Sequence, residues 1–403
     1  MKTSSQRNNY IFFTRNVLTK PEAKLVQVAN SANAAANLGY STVLVYSHKG
    51  LTSHNPISLI RPFSPRKPEE KLAKLYNLQE KLKVAPLSMP WFVDKFGGKL
   101  TNSSTLISKY YFPFHILPTT KIVHTRDWNF VKVAIMHGIP AIYEHHHHED
   151  KKFEPEIVKN PLFTIAITVA DTVRESMIQN GMPPEKVVKM HNGYSQLFAT
   201  RQPEAAEEWR EKLLQDKYQH IVVYSGALYP FKGVDLLIDV AKDLPHVQFV
   251  FAGGKEEQVQ AYQQMAREKQ VTNTTFLGYI EHHKLGSLLQ AADILAHPHC
   301  SGNASTFTSP LKFFDYMAAG TPIVSTEIPP LMEFKPANVV AAWCEPDNPQ
   351  EFARCIKHVL ETRPRKIEGY SDSLEFVKQF TWENRIQKIL SYVDASMRPV
   401  AMN

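Results

Sequence analysis

The sequence predicts an α/β protein built from two parallel-sheet domains, and three observations carry that prediction. Its 403 residues exceed one ordinary core and suit two domains of roughly 200 residues each. Short apolar runs of strand type alternate with helix-patterned segments along nearly the whole chain, the signature of successive βαβ units. The stretch Asp293–Thr326, DILAHPHCSGNASTFTSPLKFFDYMAAGTPIVST, reads as strand, long polar loop, helix and strand. Ser309 and Pro310 suit the N-cap and first position of that helix, which ends near Gly320, and Pro322-Ile323-Val324 opens the next short strand. A polar loop is thereby delivered to a helix N-terminus at the carboxyl end of a strand, where free N–H groups and the helix dipole favour a bound anion. Asp315, one turn inside the helix, is placed to accept hydrogen bonds from a sugar or ribose hydroxyl.

Composition narrows the function classes. An apolar fraction of 43% with 21% charged residues is ordinary for a globular protein. Three cysteines, Cys300, Cys344 and Cys355, lack metal-ligand spacing and predict no disulfide framework, which fits a reducing cytoplasm. The first residues carry an apolar run only from Tyr10 to Phe13, too short for a signal-peptide core, and no later run reaches the length of a spanning helix. A formal charge of +7 and a pI near 9.0 favour an anionic partner: a nucleotide sugar, an acidic lipid surface or nucleic acid. With no nucleic-acid-binding motif in the chain, nucleic acid is not expected as a partner.

The first half opens as β, α, β: Tyr10–Thr14, a helix over Pro21–Leu38 stopped by Gly39, and Thr42–Tyr46. No G-x-G-x-x-G follows the first strand. Arg15, in that first turn, reads either as an anionic contact in a cleft or as a solvated turn charge. Arg61–Lys99 holds nine basic against four acidic residues, a net of +5, and Leu87–Phe96 adds aromatics beside them. This segment reads either as a surface for anionic lipid or as a solvated helix followed by a loop with its aromatics turned inward. Lys121–Thr125 is a strand leading to Arg126, Trp128–His137 a helix stopped by Gly138, and Pro140–Tyr143 the next strand, ending in Glu144 and His145–His148. Alternation sends His146 to one side and His145 and His147 to the other. Histidines here suit a ligand contact, a polar loop or a metal site, though four adjacent histidines lack the i, i+4 pairing of a helical metal pair. Phe163–Val169 and Val187–Met190 complete the strands, and the charged helical segment Gln202–Tyr218 bridges to the second half.

That second half begins with the strand Ile221–Ser225, the turn Gly226–Lys232 and a helix from Val234, an arrangement suited to cradling phosphate. Strands follow at Val247–Ala252 and Thr274–Leu277. At Gly278-Tyr279 backbone groups suit a base edge and Tyr279 suits stacking on it. Helices are predicted at Glu256–Lys269, Glu281–Ala292, Pro349–Thr362, Ser371–Phe380 and Trp382–Ser396, and a strand at Asn338–Ala342. Lys312, in the first turn after Ser309, adds a second cation to Lys232.

The run from Ser309 to Pro322, SPLKFFDYMAAGTP, resembles the donor-binding segment of family 4 glycosyltransferases, retaining enzymes of the GT-B fold, in the variant SPLKxFEYMAxGxP. Gly226–Asp235, Phe276–Tyr279, Asn192-Gly193 and the FTWE at Phe380–Glu383 resemble further family landmarks in the expected order. The chain departs from the pattern at Asp315, where the family usually has Glu, and at Ala227, where it usually has Arg. The resemblance implies two Rossmann-like domains facing across a cleft: residues 1–200 with a returning C-terminal helix 382–403 for the acceptor, and residues 201–381 for the donor. It implies a hexosyltransferase acting with retention on a glycan, lipid-linked or small-molecule acceptor, with no metal and no cofactor beyond the nucleotide-sugar substrate. His146 would touch the reacting sugar and Lys232 the diphosphate. Gly226, Gly278, Tyr279, Ser309, Pro310, Leu311, Lys312 and Asp315 would bind the donor, with Arg15, Arg126, Glu144 and His145 on the acceptor side. The alternatives are a sugar-nucleotide epimerase of the same fold and a non-catalytic partner subunit that binds a nucleotide sugar or glycan. The expected location is the cytoplasm, including the inner face of a membrane.

Overall fold

A computed structural model describes residues 7–20, 22–50, 62–89, 93–95, 102–306 and 311–402. The chain forms two compact units, Met1–Asn192 with Trp382–Asn403, and Gly193–Thr381.

The first unit holds a seven-stranded sheet in the order β3-β2-β1-β4-β5-β6-β7, every neighbouring pair parallel. Its strands are β1 Asn9–Thr14, β2 Thr42–Lys49, β3 Lys83–Met89, β4 Thr120–Thr125, β5 Ala141–Glu144, β6 Phe163–Thr168 and β7 Val187–Lys189. The runs Ile11–Phe13, Val43–Val45 and Ala141–Tyr143 are buried throughout, as strands covered on both faces must be. The order reverses between β1 and β4, so the loops leaving these two strands diverge and open a crevice at their carboxyl ends.

The second unit repeats the plan with six parallel strands in the order β10-β9-β8-β11-β12-β13. These are β8 His220–Ser225, β9 Val247–Ala252, β10 Thr274–Gly278, β11 Ile294–His297, β12 Ile323–Thr326 and β13 Ala342–Cys344. Its switch point lies between β8 and β11. One core cluster packs around Phe313, Met317 and Leu289, the other around Phe249, Ile238 and Ile356.

Three expectations change, and one element is new. The short helix Gln196–Ala199, assigned from sequence to the first domain, belongs to the second unit, because Phe198 is buried in that unit's core. The strand expected at Asn338–Ala342 begins only at Ala342: Asn338 is left-handed at the end of the 3₁₀ segment Pro329–Ala337, and Val339 and Val340 are buried in the core without ladder pairing. Lys83–Met89 is an edge strand, with Leu87 and Met89 buried. Pro86 argues against a strand in sequence, but an edge position tolerates its missing N–H. Trp91, Phe92 and Phe96 lie outside the described residues. Finally, a helical stretch from Ser103 through Thr119 precedes β4.

The C-terminal helix Trp382–Ser391 does pack in the first unit. Trp382, Ile386, Ile389 and Leu390 are its buried stripe, and Asn37 Nδ2, at the end of the helix Ala23–Asn37, donates to Glu383 Oε1 at 2.9 Å. Beyond it, the Met402 N–H donates to the Gly39 carbonyl at 2.8 Å.

Candidate functional site

In the second unit, three glycine turns leave β8, β9 and β10 and are locked together through backbone. The Gly226 N–H donates to the Ala252 carbonyl at 2.7 Å, and the Gly253 N–H donates to the Gly278 carbonyl at 2.5 Å. Gly253, at φ 116°, allows no side chain: a Cβ there would lie 2.2 Å from the Gly226 carbonyl oxygen. These close approaches leave room at Gly226 for a lysine amine. A Cβ at Gly226 would lie 2.3 Å from Lys312 Nζ, which donates to the Ser225 carbonyl at 2.5 Å.

Lys312 comes from the helix Leu311–Ala319, whose apolar face, Phe313, Phe314, Tyr316 and Met317, is buried. Tyr316 anchors that helix to the end of β8, its hydroxyl accepting from the Ser225 N–H at 2.8 Å. Ser309 and Pro310 lie outside the described residues. Asp315 accepts from the Ser195 N–H.

Lys232 approaches from the other side of the switch point. It ends the 3₁₀ turn Pro230–Lys232, and Gly233, at φ 69°, then starts the helix Val234–Asp243 pressed against β11's exit: a Cβ at Gly233 would lie 1.9 Å from the Pro298 carbonyl oxygen. Lys232 Nζ meets His299 Nε2 at 2.5 Å, His299 Nδ1 lies 3.1 Å from His297 Nδ1, and Ser325 Oγ lies 3.3 Å from that same His297 nitrogen. A buried polar chain thus runs from the lysine into the sheet. Sequence reading passed over His297 and His299; their signal was the alternation in Ala296-His-Pro-His-Cys300, which returns both imidazoles to one side of the strand end.

The electrostatics of this site are those of two buried cations that share one buried carboxylate, Asp315. Burial lowers Lys312 to about 7, with the charge of Lys232 acting the same way and Asp315 opposing. Burial lowers Lys232 to about 8. Burial, then the two lysine charges, lowers His297 to about 3, and His299 falls well below its ordinary value for the same reasons together with the nearby His297. Asp315 is raised to about 7 by burial, against the pull of Lys312 and the Ser195 N–H. A bound dianion between the lysines would supply the missing counter-charge. Tyr279, 51% exposed after the left-handed Gly278, stands free to stack on a flat ligand.

The first unit carries a separate cavity of about 600 Å³ at the carboxyl ends of β1, β4 and β5, lined among others by Arg15, Arg126, Glu144, His145 and His147. His146 is not in its lining. That imidazole is buried, with Nε2 2.9 Å from Glu144 Oε1, so β5 sends His145 and His146 to different surroundings as alternation requires. Glu144 is the hub of a buried cluster: His124 Nε2 lies 2.9 Å from Oε2, and Arg385 of the C-terminal helix donates to Oε1. Burial favours its neutral form, but Arg385, His124 and His146 outweigh this and hold its carboxyl well below the usual range. Burial, with the Arg126 charge in the same direction, lowers His146 to about 3, so it stays neutral at physiological pH. Among the described residues no group of three or more His, Cys, Asp or Glu is arranged to hold a metal ion.

Solved structures share this architecture across nearly the whole chain. Anabaena HepE, determined in complex with UDP and glucose, superposes with a TM-score of 0.67 at 16% identity, covering 95% of this chain and 98% of HepE. A glycosyltransferase from Rickettsia africae superposes at 0.68 with 14% identity, covering 98% and 100%. The fold is GT-B. Within this GT-B chain, residues 205–371 match the family model of glycosyl transferases group 1, and they include both lysines of the β8–β11 switch point. Curated relatives are D-inositol 3-phosphate glycosyltransferases, at 23% identity in Corynebacterium aurimucosum and 27% in Mycolicibacterium smegmatis. The matched segments cover 63% and 44% of this chain, and 64% and 41% of those relatives.

Proposed function

We propose that the protein is a glycosyltransferase that binds a nucleotide-sugar donor on its second unit and transfers the sugar, with retention of configuration, to an acceptor hydroxyl. The observation that carries this reading is the convergence of Lys232 and Lys312, two buried cations with no ion-pair partner within contact distance among the described residues, beside the glycine turn at Gly226. The donor's diphosphate has the charge, and the glycine turn the open backbone, that such a site requires. During transfer negative charge develops on the departing diphosphate, and two pre-positioned ammonium groups stabilise it there. Asp315 binds ribose hydroxyls and Tyr279 stacks on the base. The complex of HepE with UDP and glucose makes UDP-glucose the first donor to try. The test is a thermal-shift screen with UDP, GDP, ADP and their sugars. Selective stabilisation by one nucleotide and its sugar supports the reading, followed by a turnover assay that separates a transferase from an epimerase or a binding subunit. No stabilisation by any of them overturns it.

No helix among the described residues is long and apolar enough to cross a membrane. Peripheral contact would fall to the exposed Lys71, Lys81 and Lys83, since Arg66, Lys67 and Lys74 already pair with Glu69, Glu80 and Glu70. Sedimentation that favours acidic over neutral vesicles and fades with added salt supports that contact; equal binding, or none, removes it.

A further inference from the structure

We infer that His299 is a positioning residue for the donor's diphosphate: its neutral imidazole, oriented by His297, accepts one N–H of Lys232 and leaves that ammonium's other donors for the phosphate oxygens. The diphosphate in this inference rests on the glycosyltransferase reading; the contact between lysine and imidazole does not. The direction of the chain follows from what each group can donate. An ammonium has N–H groups and no lone pair, so the 2.5 Å contact between Lys232 Nζ and His299 Nε2 runs from the lysine to a bare imidazole nitrogen. A neutral imidazole carries a single N–H, which for His299 is then on Nδ1. It donates across 3.1 Å to His297 Nδ1, and His297 accordingly holds its own proton on Nε2. The Ser325 hydroxyl, 3.3 Å from that same His297 nitrogen, fits this order as a donor to it or to the Thr326 carbonyl.

The two imidazoles are held in place from several sides. Both are buried, and the His297 ring meets Phe313 and Tyr316 edge-on at 5.9 and 6.5 Å between centroids. The Thr326 hydroxyl donates to the backbone carbonyls of His297, at 3.3 Å, and His299, at 2.7 Å, which fixes the strand exit that carries them. Burial, then the neighbouring charges, keeps both rings neutral at physiological pH. On another side the Lys232 ammonium lies 4.8 Å from the centre of the Phe231 ring. Its close neighbours are thus two neutral rings, with no carboxylate at ion-pair distance among the described residues. A carboxylate in the place of His299 would orient the lysine and cancel its charge. A neutral imidazole orients it and leaves the whole charge for an incoming anion, which is the preorganisation that a developing negative charge requires.

Two measurements on the full chain test this. In the ligand-free protein, NMR of nitrogen-labelled imidazoles near neutral pH, with the His299 signals assigned by their loss in His299→Gln, should show His299 protonated on Nδ1 and bare on Nε2. A proton on Nε2 overturns the proposal. Titration calorimetry then uses inorganic pyrophosphate and the nucleotide that the thermal screen identifies, or UDP if it identifies none. His299→Leu, which removes the acceptor, should weaken both by about tenfold, the loss expected for one charge-assisted contact. His299→Gln, whose side-chain oxygen reaches the place of Nε2, should bind both within about threefold of the unaltered chain. In a Lys232→Ala background His299→Leu should cost nothing further, since the imidazole acts through the lysine. Equal losses in His299→Leu and His299→Gln, or a full loss in the absence of Lys232, overturn the role, because a packing residue would produce either. If His299→Leu fails to fold, the tautomer and the His299→Gln affinities decide. Pyrophosphate and nucleotide affinities unchanged in His299→Leu overturn this proposal and leave the glycosyltransferase reading standing. The expected tautomer in a chain that binds neither ligand supports the lysine contact and refutes the glycosyltransferase reading instead.

Discussion

Raising the pH from 7 to 9 should abolish most donor binding, and the size of the loss follows from the two buried lysines. In the free protein Lys312 titrates at about 7 and Lys232 at about 8. At pH 7 the first is therefore half protonated and the second mostly so, while at pH 9 both are mostly neutral. A diphosphate between them favours the ammonium forms and raises both pKa values in the complex. A lysine whose pKa is higher in the complex strengthens binding fully below its free value, and that contribution is lost as pH rises through the free value towards the bound one. If both must be charged to hold the donor, affinity falls by roughly two to three orders of magnitude over this range, and binding at pH 8 takes up about 1 to 1.5 protons. The assay is titration calorimetry with the nucleotide sugar found by thermal screening, at pH 7, 8 and 9, in buffers of different ionisation enthalpy. Lys232→Ala should raise the dissociation constant at pH 7 by at least tenfold, since a charge-assisted bond contributes about 1.5–3 kcal/mol. Lys312→Met should abolish most of the proton uptake. Affinity that is flat in pH, with no protons taken up, would show that neither lysine meets the diphosphate.

Three further outcomes are expected. Arg385→Ala leaves Glu144 buried in the first unit's interior without its cationic partner, held only by the imidazoles of His124 and His146, and should destabilise it by about 3–5 kcal/mol in urea denaturation; a loss under 1 kcal/mol would mean that the cluster does not hold the C-terminal helix. Asp315→Asn should weaken nucleotide-sugar binding by removing charge assistance to the ribose, whereas a surface or dipole role predicts no change in calorimetry on that variant. Gly253→Ala drives a methyl into the Gly226 carbonyl and should lower both thermal stability, by about 1–3 kcal/mol, and donor affinity; an unchanged melting temperature would show that the glycine turns are not interlocked.

Apolar runs bounded by glycine and proline were enough to place most strands of both sheets in the sequence, because strands buried on two faces are largely apolar, as Tyr10–Phe13 and Phe249–Ala252 are. The glycine turn and Lys232 were legible for a local reason: a strand end, a turn and a helix start are neighbours in the chain, and their chemistry shows within ten residues. So was Lys312, because its helix is a single short element. What the tertiary structure decided are the contacts between residues distant in sequence. Arg385 reaches Glu144 across 241 positions, and Lys232 reaches His299 across 67. No local pattern distinguishes those side chains from solvated ones. The edge strand Lys83–Met89 was hidden by Pro86, which is forbidden in a central strand and tolerated at an edge, and only sheet order reveals an edge. The first unit's cavity, likewise, gathers the ends of β1, β4 and β5 at one switch point, so its lining could be read only once those ends were brought together.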